Sequence, residues 1–450
     1  MNIAIVGYDR QGRSAFEYWN KPENTLTICD QNYIEDTPPG IATKFGGDYL
    51  NNLYEFDLIV RTPGLHPSEI VENNQEDPNI LAKVTTVTNE FFKVCPSKRI
   101  IGVTGTKGKG TTSTLIAKFL EAAGLKTHLG GNIGIAPLEM LKAGIEPDDW
   151  VILELANFQL VDLKYSPHIA VCLMIAPEHL DWHDDMYEYV QAKRQLFVHQ
   201  STHDIAVFNA RNMYAQEIAD ASPAFQIGYE VPPEDEKPEN MTGAYVDGSH
   251  ICFENEKICH VSDVVLPGRH NLENVCAAIS TVYPLIAQTQ KHPHAVIKAV
   301  LKSFAGLPHR IENLGQSHDI WFINDSFAVN PDATIAAIRA IDMPQILIVG
   351  GFDRGLDISR LINEVKSNPH VKKVLAVGKS GPRIAEAFKA QGMANYQLST
   401  AETMPAVVAE AVALARKGDA VVLSPAFPSF DMFKDFEDRG NQFKAAVKAL

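Results

Sequence analysis

Apolar and polar positions along this chain change period again and again. Short β-branched runs, NIAIVG, LTICD, FDLIV and KVTTVT, punctuate the first ninety residues, with polar or amphipathic stretches between them. That is the pattern of strands alternating with helices. The alternation resumes at RIIGVT, DWVILEL and HIAVCLMIA, and again beyond residue 305 at DIWFIND, QILIVGG, KKVLAVG and DAVVLSPA. Strands separated by helices of about ten to fifteen residues predict mainly parallel sheets covered on both faces. Between the second and third groups lie a polar, proline-rich stretch, EVPPEDEKPEN, and a small β excursion, YVDGSHICFENEKIC, with Asp247-Gly248 at a turn. With 450 residues the chain is too long for one core. Three α/β domains are expected, over residues 1–94, 95–304 and 305–450.

One strand-to-helix break differs from the rest. RIIGVTGTKGKGTT turns at Thr104-Gly105 into a glycine-rich loop and then opens a helix, STLIAKFLEAAG. Gly105, Gly108 and Gly110 let successive backbone N–H groups, with those of Thr106 and Lys107, point into one concavity, and the helix adds its positive end. A phosphate chain is the natural occupant. Lys109 can reach the outer phosphates, and Thr111 or Thr112 can offer a hydroxyl to Mg²⁺. The usual loop spacing is incomplete, because Val103 stands where its first glycine would be. ATP is the expected guest.

In a parallel sheet the strand C-termini share one edge, where ligands bind. Glu154, ending one apolar run, and His179, in the cluster PEHLDWH after another, are therefore expected to face the phosphates, where a hard cation wants a carboxylate. Lys193, in a helical stretch, reads by composition as a solvated surface charge. Asn271 and Asn274 are a helical turn apart and face the same way; they can cap the helix or read an adenine edge. Near the start, Gly7 to Ser14 resembles a dinucleotide turn, but Asp9 occupies the second glycine's place. A plain Rossmann-like turn and a nucleotide-diphosphate site both fit it, and a redox NAD site fits less well. Arg61-Thr62-Pro63-Gly64 could close over the same crevice.

Charge narrows the partners. Forty basic against 55 acidic residues, net −15, argue against a broad nucleic-acid or anionic-membrane surface. The six cysteines have no Cys-x-x-Cys spacing, so neither a disulfide framework nor a zinc site is expected from them. No basic segment with a long apolar core precedes the first strand, and nowhere do about 18 apolar residues run together. A monomer in the reducing cytoplasm is the simplest expectation.

Taken together, GTKGKGTT, GGNIG, LELANFQL, PEHLDWH, GRHNLEN, GLPHRIE, INDSFAVNPDA and VVLSPAFPSFDMFKDFEDRGNQF resemble the Mur ligase family, in its order and spacing over almost the whole chain. The resemblance implies a Rossmann-like N-terminal domain holding a UDP sugar, a central P-loop ATPase-like domain, and a Rossmann-like C-terminal domain that closes over both. It is closest to the branch that joins D-glutamate to UDP-N-acetylmuramoyl-L-alanine through an acyl phosphate, using ATP and Mg²⁺ in peptidoglycan precursor synthesis. Carried over by position, it gives Lys109 and Arg310 to the γ-phosphate, Asn271 and Asn274 to the adenine side, and Asp325 to the ribose. Thr111, Glu154, His179 and Lys193, the last as a carbamate, would hold Mg²⁺. Gly12, Ser14, Asp30, Thr62 and Gly64 lie where the family binds UDP, and Asn132 and Gln159 where it meets the amino-acylated sugar. Ser429 and Phe436 fall where glutamate is held, and Arg354 stands in place of another substrate-side lysine.

This sequence departs from the pattern in several places. Ala156-Asn157 replaces a serine pair, Met174-Ile175 a more polar turn, Phe327 a lysine and Val329 a threonine. The last two lie toward the amino acid. A Mur ligase using another amino acid such as L-glutamate, a folylpolyglutamate synthase, or a silent ATP-binding scaffold are the alternatives. Asp30 with Thr62-Pro63-Gly64 argues against the folate enzyme, and intact Lys109, Glu154, His179, Lys193 and Arg310 argue against the scaffold.

Overall fold

A computed structural model describes residues 1–132, 134–239, 242–266 and 268–450. The predicted stretches 130–134, 230–240 and 266–271 each include a residue outside that set. The chain forms two compact units, Met1–Phe304 and Ala305–Leu450.

The first unit contains two parallel sheets. One runs, in spatial order, Ala42–Phe45, Thr25–Asp30, Asn2–Val6, Leu58–Arg61 and Val84–Thr85. Its period-2 alternation sends Ile3 and Ile5 to one core and Ala4 and Val6 to another, so both faces are covered. KVTTVT is strand only over Val84–Thr85. Thr86 ends it by accepting the Asn89 N–H at 3.1 Å, which caps the helix Val87–Val94. Ala42–Phe45, a half-exposed edge strand, has no strong apolar pattern to announce it.

The second sheet of this unit is ordered Phe225–Tyr229, Ile205–Asn209, Ile169–Cys172, Ile100–Thr104, Trp150–Glu154 and Thr127–Gly131. All its pairings are parallel. One apolar core runs from Ile3 and Val60 of the front sheet and Phe91 of the helix Val87–Val94 to Val151, Leu153 and Cys172 of this one. The two sheets thus share a packed interior across the expected boundary at residue 94. On the other face, Ile101 and Val103 pack with the helices Lys109–Ala122 and His270–Thr289. The β excursion is a three-stranded antiparallel meander, Ala244–Asp247, His250–Phe253 and Glu256–His260.

The second unit has one six-stranded sheet, in the order Glu312–Ser317, Ile320–Asn324, Ala420–Leu423, Gln345–Gly350, Val371–Val377 and Tyr396–Leu398. Only the first of these is antiparallel to its neighbour. Asn324-Asp325-Ser326, Gly350-Gly351 and Ser424 therefore emerge along one edge.

Candidate active site

Because Ile100–Thr104 pairs with Trp150–Glu154 on one side and Ile169–Cys172 on the other, the loops after these three strands leave the sheet together. The first is the glycine-rich loop. A Cβ on Gly105, at φ +151°, would lie 2.6 Å from Leu173 Cβ, and one on Gly108, at φ +86°, would lie 2.1 Å from Asn274 Oδ1. The loop is pressed from two sides, and only glycine fits. The Thr106 hydroxyl ties it to the third strand's loop, donating to the Ala176 carbonyl at 3.1 Å and accepting from Ala176 N at 2.9 Å. Tyr189 Oη lies 2.9 Å from the same hydroxyl.

Lys109 opens the helix Lys109–Ala122 and folds back, donating to the carbonyls of Gly105 at 3.0 Å and Thr106 at 2.9 Å. Its ammonium lies over the loop. Lys107 is exposed, with Glu178 Oε1 3.8 Å away, and Gly110 is buried. Thr112 is fully buried and its hydroxyl donates to Asn274 Oδ1 at 3.3 Å, so of the two candidate hydroxyls the half-buried Thr111 is the one not spent on packing. Asn274 also donates to Asn271 Oδ1 at 2.8 Å. This carboxamide braces the loop and does not cap its helix, whose N-cap is Arg269. At the first turn of that helix a cavity of about 430 Å³ is lined by Met174, Asn209, Arg211, Arg269, His270 and Glu273.

The neighbouring strand ends in a buried carboxylate. Glu154 Oε1 accepts from Asn132 Nδ2 at 2.9 Å, and Asn132 N donates to the Glu154 carbonyl at 2.8 Å. Glu154 Oε2 is buried without a hydrogen bond, as is Gln159 Nε2, whose amide oxygen accepts from Ala156 N at 3.0 Å. Unmatched buried polar atoms cost about 1–3 kcal/mol each, so their persistence points to a ligand. His179 sits at φ +58° with its ring against Phe158 at 4.8 Å. Burial lowers its pKa, with Glu178 opposing, which keeps the imidazole neutral and a lone pair available.

Lys193 is not a solvated charge. The helix Met186–Arg194 turns Tyr189, Val190 and Lys193 inward together, and the lysine has no exposure. Its Nζ donates to the Gly105 carbonyl at 3.1 Å and lies 4.6 Å from the centre of the Tyr189 ring. Burial first, and the Lys109 charge second, lower its pKa to about 7. The unmatched Glu154 oxygen, the Thr111 hydroxyl and, once carbamylated, Lys193 are oxygen donors of the kind Mg²⁺ takes, with the His179 imidazole as a nitrogen donor.

Nearer the N-terminus, Asp9 caps the helix Arg10–Trp19, accepting from Gln11 N at 3.0 Å and Gly12 N at 3.1 Å. That helix end already has its anion. A Cβ on Gly12 would lie 2.0 Å from the Gly7 carbonyl, so this glycine serves close packing of helix on strand. The Ser14 hydroxyl is buried without a partner. Asp30 accepts from Tyr8 N at 2.7 Å and Asn32 N at 2.8 Å. Thr62 is buried against Gly7, and the Gly64 carbonyl accepts from Trp182 Nε1 at 3.2 Å. Arg10 reaches the Gly131 carbonyl at 3.5 Å, while Arg13 pairs with Asp36 at 2.9 Å.

In the second unit, Arg310 stacks its guanidinium over Phe327 at 3.8 Å, and Phe327 meets Phe436 edge-on at 5.0 Å. Asp325 is buried, accepting from Ser424 Oγ at 2.7 Å and Ile311 N at 3.1 Å. Burial raises its pKa to about 7 against those hydrogen bonds. Ser429 is buried, and Arg354 lies 5.9 Å from the Phe430 ring.

Several residues have a structural weight that sequence reasoning missed. Arg61 is wholly buried, donating twice to Asp162, at 2.6 and 3.0 Å, and to the carbonyls of Thr62, Leu65 and Phe158. Asn157, one of the departures noted above, lies 2.8 Å from His183 Nε2. Arg439 donates to the Ser326 hydroxyl and to the carbonyls of Ser326 and Phe427. Tyr189 could have been found from its spacing to Lys193; the others depend on contacts distant in sequence.

Residues 103–282 match the Mur ligase middle domain, and residues 309–427 the Mur ligase glutamate ligase domain. The UDP-N-acetylmuramoylalanine--D-glutamate ligase of Clostridium botulinum is 36% identical over the whole chain and 94% of the relative. The chain belongs to the Mur ligase family. Its counterpart of the same name from Clostridium tetani is 34% identical over the whole chain and 92% of the relative. Among solved structures, the UDP-N-acetylmuramate-alanine ligase MurC of Thermotoga maritima aligns with TM-score 0.55 at 17% identity, covering 100% of this chain and 99% of that one. Yersinia pestis folylpolyglutamate synthase/dihydrofolate synthase gives 0.54 at 16% over 80% and 92%. At that identity the likeness is one of fold. Membership of the family implies the use of ATP. Among the described residues no helix is long and apolar enough to cross a membrane.

Proposed function

We infer that this protein uses ATP to join D-glutamate to UDP-N-acetylmuramoyl-L-alanine in peptidoglycan precursor synthesis, releasing ADP and phosphate. The observation that carries this reading is similarity along the whole chain, at 34–36% identity, to ligases of that name. The site chemistry agrees with it. A carboxylate does not acylate an amine unaided, so the alanyl carboxylate first attacks the γ-phosphate, and the glutamate amine then displaces phosphate from the acyl phosphate.

The loop N–H groups of residues 105–110 hold the phosphates, and Lys109 exchanges its two carbonyl partners for phosphate oxygens whose charge grows during transfer. Thr111, Glu154, His179 and Lys193 would hold Mg²⁺, which supplies further neutralisation of the crowded oxygens. For Lys193 to join them, its neutral amine attacks carbon dioxide, forming an N–C bond and releasing one proton to leave a carbamate. Burial, by lowering the pKa to about 7, makes that amine available. Asn132 orients Glu154 through its 2.9 Å hydrogen bond, and Gln159 presents its unmatched N–H to the sugar-linked substrate. Gly12, Ser14, Asp30, Thr62 and Gly64 serve the UDP end under this reading. Arg310, Asp325, Asn271 and Asn274 serve the nucleotide, and Arg354, Ser429 and Phe436 the glutamate. The protein is read as a monomeric cytoplasmic enzyme acting on small molecules alone, in keeping with its net charge of −15.

Phosphate release from ATP, measured with UDP-N-acetylmuramoyl-L-alanine and each amino acid in turn, tests the assignment. Turnover requiring D-glutamate is expected. Turnover with L-glutamate or meso-diaminopimelate in its place would overturn the acceptor, and none with any pairing would overturn the ligase reading.

A further inference from the structure

A second cluster of nitrogen and carboxylate donors lies outside the phosphate cradle. It draws on the turn after Leu58–Arg61, the loop after Ile169–Cys172 and the first turn of the helix Met186–Arg194. One ligand atom from each of His66, His183 and Glu188 lies within 4.8 Å of the other two, the one such group found among the described residues. His66 Nε2 is 3.0 Å from Glu188 Oε1, and His183 Nδ1 is 3.3 Å from Glu188 Oε2. A tetrahedral ion with ligands at about 2.0–2.1 Å sets them about 3.3 Å apart, close to both separations.

The His183 ring carries the second observation. Its side chain has no exposure, and Nδ1 makes no hydrogen bond. This fully buried ring nitrogen meets the Glu188 carboxylate only as an ion pair of poor hydrogen-bond geometry, an arrangement that an ion between them would complete. Each ring also has an outer polar partner, Asn157 Nδ2 2.8 Å from His183 Nε2 and Ser68 Oγ 2.7 Å from His66 Nδ1, which could orient a ligating imidazole once it accepts from the ring. Glu188 Oε2 is held by Asp184 N at 2.8 Å. The side chains of His66 and Glu188 are 19% and 27% exposed, which leaves a path for an ion.

We propose that His66, His183 and Glu188 form a binding site for a divalent transition ion of the zinc class, separate from the hard-cation position beside Glu154. Two imidazoles and one carboxylate suit Zn²⁺ and disfavour Mg²⁺, which takes oxygen. On binding, each neutral ring keeps its one proton on the outward nitrogen. His183 Nε2–H donates to the Asn157 amide oxygen once that carboxamide turns over, and His66 Nδ1–H donates to Ser68 Oγ, giving up the 3.2 Å bond from Ser68 N. The ion fastens the turn bearing Thr62 and Gly64 to the loop bearing His179, where Trp182 Nε1 already reaches the Gly64 carbonyl.

The test uses the full chain, stripped with chelator and saturated with Mg²⁺, titrated with Zn²⁺ by calorimetry and with Co²⁺ by visible absorption. The expected result is one Zn²⁺ per chain and the intense Co²⁺ bands of a four-coordinate site. His66→Gln and Glu188→Gln should each weaken Zn²⁺ at least about tenfold. The proposal is overturned by no stoichiometric Zn²⁺ under Mg²⁺, by a weak six-coordinate Co²⁺ spectrum in the unaltered protein, or by equal affinity in all three proteins. The spectrum of the unaltered chain decides the matter even if a variant folds poorly. None of these readouts depends on the ligase assignment.

Discussion

Two sheet edges in this protein carry buried charge, and they treat it differently. At the edge of the central sheet, Glu154 Oε2 and Gln159 Nε2 are buried and unmatched, and Lys193 meets little more than carbonyl and ring. In the second unit, both oxygens of Asp325 accept hydrogen bonds, Ser326 accepts from Arg439 Nε at 2.9 Å and donates to the Phe436 carbonyl at 2.8 Å, and Asn324 is held by Glu312. The strand-end residues of the first edge are left short of partners, while Asn324, Asp325 and Ser326 of the second are matched within the protein, although Asp431 Oδ1 in a later loop of that unit is also buried without a partner. Burial by itself therefore does not mark chemistry. Burial with a missing partner is informative only where, as at Glu154 and Gln159, it falls beside the glycine-rich loop, since Thr88, Ser113, Gln226 and Gln345 also bury an unmatched atom.

That contrast predicts where substitution hurts activity and where it changes stability. The largest effect is expected at Lys109: Lys109→Ala should lower kcat by about 10³ or more, with folding little changed in a thermal melt. Lys193→Ala comes next, at about 10²–10³ in kcat, with partial recovery on adding short carboxylates that replace the carbamate. Full activity in that variant without addition would remove the carbamate. Asp325→Asn should change stability with pH as well as weaken the nucleotide contact. The native carboxyl, raised to about 7 by burial, keeps a proton that the unfolded chain releases near 4. Its contribution is full below pH 4, is lost as pH rises through 7, and amounts to at most about 4 kcal/mol. Melts of the two proteins should diverge between pH 5 and 8, with the variant relatively more stable at the upper end. Phe327→Leu is expected to be mildest, at most about tenfold in KM for ATP, since it removes the ring beneath Arg310 and leaves the charge.

Much of this was legible in the chain. The strand ends bearing Glu154 and the glycine loop announced themselves because apolar runs stop abruptly at turn chemistry, and neighbouring strands put them side by side. KVTTVT misled because β-branched residues were read by propensity, while Thr86 spends its hydroxyl as a helix cap. Lys193 misled because composition ignores helical phase: Tyr189, Val190 and Lys193 share one inward face. Arg61 reads in the sequence only as part of a turn; its burial against Asp162 is not legible there, since that partner is a hundred residues away and only the packing of the chain brings them together.

The account rests on activation of the acid by phosphoryl transfer, and one isotope experiment bears on it most directly. With ¹⁸O in the alanyl carboxylate of UDP-N-acetylmuramoyl-L-alanine, a single ligation turnover should deliver one labelled oxygen to the released phosphate, because the attacking oxygen leaves with it. Unlabelled phosphate accompanying amide formation would contradict the account.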